Sequence, residues 1–430
     1  MATAILSDLH LGAAHGDDLL RYPYFCERLR EQLDGIDHIV LLGDILDLRF
    51  QQLEGTLQTS RSFFAMLSDV LGAASQPRVT YIPGNHDHHY AVRLTEDARE
   101  QAILSDEAFA LRQIIAPPTF FLSRQLTRML GDRVDVRVAY FYDTLECSEG
   151  KVFLTHGHYL DLHIDSGPAR LLNLAQSVLA AAGEGSAGIT PDLYEGVLRP
   201  QYELLHWIGQ SPAGAELQSR IYERLRGKGP SDTAFGQLRR RALRRAATAA
   251  GNAGLALAEG IANRMFKERL SLTSLAREAQ VEETIRAFSM SLEALQAYLP
   301  QGARYVVFGH THRPGPLENI DVAERWMVNM HGQPTMVLNS GSWLYDGGKA
   351  RRPDYRPQRW PGSFILIPNQ GPPRVVEVLA DMTREQLEAE LSERMPEEDE
   401  QEEISGANAA EQAAIGLEED KQESDLLSGS

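Results

Sequence analysis

The feature that most restricts how this chain can fold is a pattern that recurs five times along it. A short apolar run ends, and side chains able to bind a metal follow at once. The five stretches are AILSDLHLG, IVLLGDILD, TYIPGNHD, VFLTHGH and YVVFGHTH. In an open α/β sheet, the carboxyl ends of the strands lie along one crevice, where ligands bind. The pattern therefore predicts an α/β sheet with these polar side chains gathered at one edge.

Each stretch taken alone also has an ordinary explanation. Asp8 could cap a helix, Gly-Asp is a common turn dipeptide, and a single histidine such as His156 is more often structural. These explanations would have to hold five times, each time at the end of an apolar run. The repetition favours one shared metal site, with candidate residues at Asp8, His10, Asp44, Asp47, Asn85, His86, Asp87, His156, His158, His310 and His312.

The candidate ligands are oxygen and imidazole donors without a thiolate. Such sets suit Mn, Fe, Zn or Co and do not select one of them. They are also more numerous than one tetrahedral ion needs. Two ions about 3.5–4 Å apart, sharing a carboxylate, would use them all, and such pairs typically catalyse displacement at phosphorus. The donors therefore favour phosphoester hydrolysis.

The order of apolar runs divides the chain into parts. Strands are predicted at 3–6, 38–42, 78–82, 134–142, 151–154, 305–308 and 335–338, with helices at 19–33 and 60–74 and a hairpin formed by 363–367 and 374–378. Strand signals vanish between 157 and 301. We therefore expect a core at 1–156 and 301–380, a helical insertion or cap at 157–300, and a helical segment followed by a disordered acidic tail at 381–430.

Charge and composition limit the partners and the location. The net charge is −18, and residues 396–430 hold twelve acidic residues and one basic residue. A segment this acidic, without aromatic residues, favours disorder. The remaining charge of the body argues mildly against nucleic acid. Two cysteines, no leader sequence and no apolar run of about 18 residues favour a cytoplasmic protein without a transmembrane segment.

The five stretches resemble the signature of the calcineurin-like metallophosphoesterases, D-x-H, G-D, G-N-H-D, H and G-H-x-H, in order from Asp8 to His312. The stretch VLNSGSW is also similar to that family's strand after G-H-x-H. The resemblance implies a four-layer αββα sandwich of two mixed sheets, here with a large helical cap. It implies two divalent ions and hydrolysis by a hydroxide that bridges them.

The resemblance also implies a role for each matching residue. One ion would be bound by Asp8, His10, Asp44 and His312, and the other by Asp44, Asn85, His156 and His310, so that Asp44 bridges. His86 would protonate the leaving oxygen, and Asp87 would orient His86. We expect Asp47 to fix its loop by hydrogen bonding and His88 and His89 to lie in an exposed loop.

Within the family, SDLHLG, LLGDILDL, YIPGNHD, THGHYLD and GHTHRP are most similar to the branch of the UDP-2,3-diacylglucosamine pyrophosphatases, which also inserts a helical cap. This likeness implies a phosphorylated small-molecule or lipid substrate, such as a sugar nucleotide carrying acyl chains. Two alternatives stay open. One is a metal-dependent nuclease or phosphodiesterase acting on nucleic acid or nucleotides, and the other is a non-catalytic scaffold on this fold.

A basic helix is predicted inside the insertion, at 237–250. Arg240, Arg241, Arg244 and Arg245 fall on one face of it, with small apolar residues opposite. These arginines either lie in water as an ordinary solvated face, or they bind an anionic head group or an anionic membrane surface. The second alternative makes them candidate substrate-binding residues and allows peripheral membrane contact.

Overall fold

The computed structural model describes residues 2–13, 17–49, 51–109, 111, 113–158, 191–211, 285, 301–318, 321–345 and 360–394. The chain divides into two units, Met1–Asp381 and Met382–Ser430. Most of the predicted cap, its four arginines and the predicted acidic tail lie outside the described residues. In the second unit, one helix is described, Arg384–Arg394.

The first sheet has seven strands. In chain order they are β1 (Thr3–Leu6), β2 (His38–Leu42), β3 (Arg78–Ile82), β4 (Ile114–Ile115), β5 (Asp135–Tyr140), and two that come from the end of this unit, Ser363–Ile367 and Arg374–Glu377. The strands β1, β2, β3 and β5 run parallel. The strand at Ser363–Ile367 pairs antiparallel with β1, and the strand at Arg374–Glu377 pairs with it in turn.

The second sheet has five strands. They are β6 (Tyr142–Cys147), β7 (Gly150–Thr155), β8 (Ala303–Phe308), β9 (Met327–Met330) and β10 (Gln333–Asn339), in the spatial order β6-β7-β8-β10-β9. Here β7, β8 and β10 run parallel, while β6 and β9 pair antiparallel at the two edges. In chain order, the last two strands of the first sheet are β11 (Ser363–Ile367) and β12 (Arg374–Glu377).

The two sheets share one apolar core. Alternate residues of the central strands meet in a single buried cluster, because successive side chains of a strand point to opposite faces. Its members come from both sheets: Ile5, Val40, Leu42, Ile82, Ala139, Ile365 and Ile367 from the first, and Val152, Leu154, Val307 and Leu338 from the second. Two mixed sheets packed in this way, with helices outside, confirm the predicted α/β sandwich.

Helices cover the outer side of the first sheet. The helices α1 (Pro23–Arg30), α2 (Leu53–Thr59), α3 (Arg61–Gly72), α4 (His88–Leu104) and α5 (Phe121–Leu130) follow its strands. The helix α3 lies between α1 and α5, and α5 packs on β5. The buried residues Phe63, Phe64, Leu67 and Leu71 of α3 recur at helical spacing, which explains why this segment forms an amphipathic helix.

Two predicted elements differ from the structure. The helix expected at 19–33 is a short 3₁₀ turn, Leu19–Arg21, followed by α1, because Pro23 begins the α-helix at its first position. The strand expected at 134–142 is two strands, β5 and β6, which belong to different sheets. The chain passes from one sheet to the other at Phe141, and the continuous apolar run hides this crossing.

One helix of the insertion is described, α6 (Pro191–Gly209). It packs against α4, which follows the G-N-H-D stretch. The Arg384–Arg394 helix is α7. In the described part of the chain, no helix has both the length and the apolar character to cross a membrane.

Candidate metal centre

The predicted ligands follow the strand ends, and their backbone is unusual there. Seven non-glycine residues in the described part of the chain have positive φ. Five of these are predicted ligands, with φ between 50° and 62°: Asp8, His10, Asp44, His310 and His312. Non-glycine residues adopt this left-handed conformation rarely, and such strain concentrates at functional sites. Its concentration here marks the same edge of the sandwich that the sequence indicates.

Three predicted ligands form a first group at the end of β1 and β8. Donor atoms of Asp8, His10 and His312 lie within 4.8 Å of one another. The Nε2 atom of His312 lies 3.1 Å from Asp8 Oδ1. The Nε2 atoms of His10 and His312 are 3.2 Å apart. At this separation the two nitrogens can share a proton, and they are also spaced as two ligands of one cation would be.

A second group contains Asp44, His156 and His310, again with donor atoms within 4.8 Å. The Nε2 atom of His156 lies 3.3 Å from Asp44 Oδ2 and 3.2 Å from the side-chain oxygen of Asn85. On the other side of this ring, Nδ1 is 2.9 Å from the carbonyl oxygen of Leu42. That backbone acceptor fixes the proton on Nδ1, so Nε2 is directed at the other members.

Asp44 lies between the two groups. Its Oδ2 atom is 3.3 Å from His156 Nε2 and 3.9 Å from His10 Nε2, so one carboxylate oxygen faces both. Its Oδ1 atom accepts a hydrogen bond from the backbone N–H of His86 at 2.7 Å. Asp44 is therefore held in place by the G-N-H-D loop while it faces a ligand from each group.

The carboxylates of both groups favour the ionised form. Burial alone would raise the pKa of Asp8, but His312 and His156 hold that pKa below its ordinary value. Burial likewise opposes ionisation of Asp44, yet His156 and His86 hold its pKa well below the usual range. Burial would lower the pKa of His156, and Asp44 instead raises it to about 10. A divalent cation binds ionised carboxylates and neutral imidazoles, and on binding it displaces the protons that the imidazoles hold without it.

Two glycines leave room for these side chains. A Cβ atom added to Gly43, where φ is +79°, would overlap with the ring of His156. A Cβ atom added to Gly84 would overlap with the Asp44 side chain and lie 2.6 Å from its backbone nitrogen. The glycines of G-D and P-G-N-H-D therefore let the loops after β2, β3 and β7 approach one another closely.

His86 has a different carboxylate partner from the one expected. Its Nδ1 atom lies 3.1 Å from Asp47 Oδ1, and its Nε2 atom lies 3.3 Å from the guanidinium of Arg49. Burial, and then the charge of Arg49, lowers the pKa of His86 to about 3. The other oxygen of Asp47 lies 3.4 Å from Nδ1 of His10. Asp47 thus contacts two site histidines as well as its own loop.

Asp87 instead fixes the loops beneath the site. Its Oδ1 atom accepts hydrogen bonds from the backbone of Gly84 and Asp44, and its Oδ2 atom accepts from the backbone of Ile45 and the hydroxyl of Tyr81. These four donors surround both carboxylate oxygens. The expectation that Asp87 orients the His86 ring is therefore corrected, and the structure gives that contact to Asp47.

His88 and His89 do not lie in an exposed loop, and this expectation is also corrected. They are the first two residues of α4, and His88 is 1% exposed. His88 contacts Glu195 of α6 at 2.9 Å, and His89 contacts Glu203 of the same helix at 3.1 Å. The insertion supplies both carboxylates, which local sequence around the histidines could not reveal.

His158 belongs to neither of the first two groups, although its ring centroid lies 5.6 Å from that of His156. Burial, and then the neighbouring charges of His156 and His88, holds its pKa well below the ordinary value. Its donor atoms instead lie close to those of His88 and Glu195.

Two neighbours of the site, Arg49 and Glu195, were not singled out by the sequence. Arg49 ends the stretch GDILDLR, so its closeness to Asp44 and Asp47 in sequence could have indicated it. Glu195 lies in the insertion, where no local motif indicates it.

Residues 1–177 match the family model described as calcineurin-like phosphoesterase. The match covers the stretches up to His156, and the structure adds His310 and His312 to the same groups. This match over part of the chain indicates an enzyme that hydrolyses phosphoesters with metal. No curated protein matches the chain.

Proposed function

We propose that the two groups form a dinuclear metal centre that hydrolyses a phosphoester or pyrophosphate bond. One divalent ion would be bound by Asp8, His10, Asp44 and His312, and the other by Asp44, Asn85, His156 and His310. The observation that carries this proposal is the position of Asp44 Oδ2, which faces a histidine of each group at 3.3 and 3.9 Å. The donor types suit Mn, Fe, Zn or Co.

The chain supplies a fixed frame for these ions. When bound, divalent ions of this kind lower the pKa of a coordinated water and polarise phosphoryl oxygens. Backbone N–H groups of His86 and His310 donate to Asp44 and Asp8, at 2.7 Å and 2.9 Å. These bonds hold both carboxylates in one orientation before substrate arrives, which is the preorganisation that such catalysis needs.

We further propose that His86 donates a proton to the leaving oxygen and that Asp47 positions its ring. Arg49 lies beside His86 Nε2 and is itself fixed by the carbonyl oxygen of Asn85 at 2.6 Å. Burial, and then the charge of Arg49, lowers the pKa of His86, and a phosphoryl anion bound next to Arg49 would offset the second of these effects. The proton would then be available where the leaving oxygen departs.

For the substrate, we propose a phosphorylated lipid or sugar nucleotide. The proposal is supported by the likeness of the five stretches to the UDP-2,3-diacylglucosamine pyrophosphatase branch and by the arginines at 240–245 of the insertion. The negative charge of the chain disfavours a nucleic-acid substrate. A nuclease is therefore kept as an outcome of the experiment below.

The experiment is hydrolysis by the full chain after chelation and reloading with Mn, Co, Zn or Mg. The panel contains a phosphomonoester, a phosphodiester, a sugar-nucleotide pyrophosphate and single-stranded DNA. The proposal expects metal-dependent cleavage, with the pyrophosphate cleaved best. Preferred cleavage of DNA would establish the nuclease, and no cleavage with any ion, despite bound metal, would favour the scaffold.

A further inference from the structure

One more group of metal-competent side chains, which shares no residue with the proposed centre, lies beside it. The group contains His88, His158 and Glu195, whose donor atoms lie within 4.8 Å of one another. Each comes from a separate part of the fold. His88 begins α4, His158 follows β7, and Glu195 lies near the start of α6.

The three side chains are deeply buried. His88 and His158 are each 1% exposed, and Glu195 is 7% exposed. The rings of Tyr140 and Tyr194 around them are fully buried. Burying a carboxylate among aromatic rings is costly unless a cation or several hydrogen bonds compensate for the lost water. Glu195 therefore needs either hydrogen-bond donors or a cation within reach.

The spacing of the donors fits a metal ion. Nε2 of His88 is 2.9 Å from Glu195 Oε2, and the donor atoms of all three residues lie within 4.8 Å of one another. The Tyr140 hydroxyl, which is not one of the three, lies 3.4 Å from Nε2 of both histidines. Metal–ligand bonds of about 2.0–2.1 Å in a tetrahedron place neighbouring donors about 3.3 Å apart. The His10–His312 pair of the proposed centre shows the same separation, 3.2 Å.

A closed hydrogen-bond cluster is the competing explanation. In it, His88 donates to one oxygen of Glu195 and the Tyr140 hydroxyl donates to the other. In such a cluster the Tyr140 hydroxyl lies 3.4 Å from Nε2 of both His88 and His158, beyond the usual range of about 2.7–3.2 Å for hydrogen bonds. Two nitrogens and a carboxylate around one point form instead the His₂Glu set of catalytic zinc sites, which keeps a fourth position open.

We propose that His88, His158 and Glu195 bind a third divalent metal ion of the zinc class, with the Tyr140 hydroxyl beside its fourth position. The site shares no ligand with the dinuclear centre, so it does not depend on the proposed function. Because Glu195 belongs to α6, the ion would fasten this helix of the insertion to the loop that follows β7. That loop also carries His156, whose ring centroid is 5.6 Å from that of His158.

The test compares metal content in three full-length proteins: the wild type, Glu195→Gln and Glu203→Gln. Glu203 is the matched control, because it lies on the same helix and also pairs with a histidine, His89. The pair is not part of the His88–His158–Glu195 group. Each protein is stripped with chelator, reloaded with Zn²⁺, freed of excess metal and measured by elemental mass spectrometry. We expect Glu195→Gln to bind one ion fewer per chain and Glu203→Gln to match the wild type.

The same comparison is repeated in a His10→Ala/His156→Ala background, which removes ligands from both proposed ions. One remaining ion, lost on adding Glu195→Gln, would support the third site even if the dinuclear centre is wrong. If Glu195→Gln does not fold, His88→Gln replaces it. In addition, the visible absorption of Co²⁺ bound to the His10→Ala/His156→Ala protein detects the third site without any further substitution. Unchanged metal content in a folded variant, or a background that binds no Co²⁺, would overturn the proposal.

Discussion

At the scale of single residues, the site is a set of charges held by short contacts from several loops. Asp47 illustrates this, since its two oxygens reach His86 at 3.1 Å and His10 at 3.4 Å. It lies five residues after the apolar run that ends β2. The sequence indicates that Asp47 belongs to the site, but only the fold shows which ring each of its oxygens meets.

The first prediction concerns His86. If it donates a proton and binds no metal, His86→Ala keeps its metal while turnover falls about 10²–10⁴-fold. The loss is greatest for substrates with poor leaving groups, because these depend most on protonation. Metal content and turnover are measured for His86→Ala and for a control, His331→Ala. His331 lies in the turn between β9 and β10, at the end of β10 away from the metal-binding loops. Loss of metal in His86→Ala would show that it is a ligand.

The second prediction separates Asp47 from Asp87. If Asp47 positions His86, the fall in kcat caused by Asp47→Asn at saturating metal is largely lost in a His86→Ala background. Asp87→Asn removes loop contacts instead, so its effect adds to that of His86→Ala. The measurement is kcat for both double-mutant cycles. Additive effects for Asp47 and coupling for Asp87 would restore the role that the family resemblance implied for Asp87.

At the scale of elements, the sandwich positions the site through its parallel strand ends. The strands β1, β2 and β3 of one sheet and β7 and β8 of the other all end at its loops. The backbone N–H of Asp8 donates to Gly43, and that of Gly309 donates to His156. These bonds join neighbouring loops within each sheet, and each of the first two groups combines residues from loops of both sheets. The geometry of the site therefore depends on how the two sheets pack.

A third prediction tests this dependence. Leu154 of β7 is fully buried in the core between the sheets, two residues before His156. Leu154→Ala removes about 2–5 kcal/mol of unfolding free energy, because it leaves a cavity that the sheets cannot close completely. Leu104→Ala is the control, since Leu104 is 79% exposed, and surface changes stay within about 0.5 kcal/mol. Chemical denaturation of both variants measures the difference, and equal stability would contradict the shared core.

The strand ends could be predicted from the sequence because each follows a short apolar run bounded by polar residues. The limits of β1, β2, β3 and β11 agree with the expected 3–6, 38–42, 78–82 and 363–367. The start of α4 at His88 was missed because two histidines after G-N-H-D have no apolar spacing of their own. They contact Glu195 and Glu203, which lie more than a hundred residues later in the chain. Contacts of this range leave no local pattern.

At the scale of the whole molecule, the insertion raises the question of substrate. Its described helix, α6, contacts α4 and places the ring of Tyr202 at 5.0 Å from the guanidinium of Arg49. Since Arg49 also contacts His86, the insertion reaches the proposed catalytic residues. A substrate that enters the site would therefore meet side chains from the insertion as well as from the sandwich.

The fourth prediction concerns the basic stretch at 237–250, which lies outside the described residues. If its arginines bind an anionic lipid head group, changing Arg240, Arg241, Arg244 and Arg245 to Ser raises KM for an acylated substrate. Hydrolysis of a small soluble phosphodiester stays nearly constant, because the metal ligands are untouched. Steady-state kinetics on both substrates decides the matter. An equal response of both, or of neither, would mean that the arginines form only a solvated surface.

In the proposed centre one carboxylate, Asp44, joins two metal ions. The most direct measurement is the metal content and phosphodiester hydrolysis of Asp44→Asn, beside the wild type, after reloading with Mn²⁺. We expect Asp44→Asn to stay folded, judged by its circular dichroism, and to lose bound metal and nearly all hydrolysis, since Asp44 faces both groups through one oxygen. A variant that keeps both its metal and its activity would contradict the dinuclear centre.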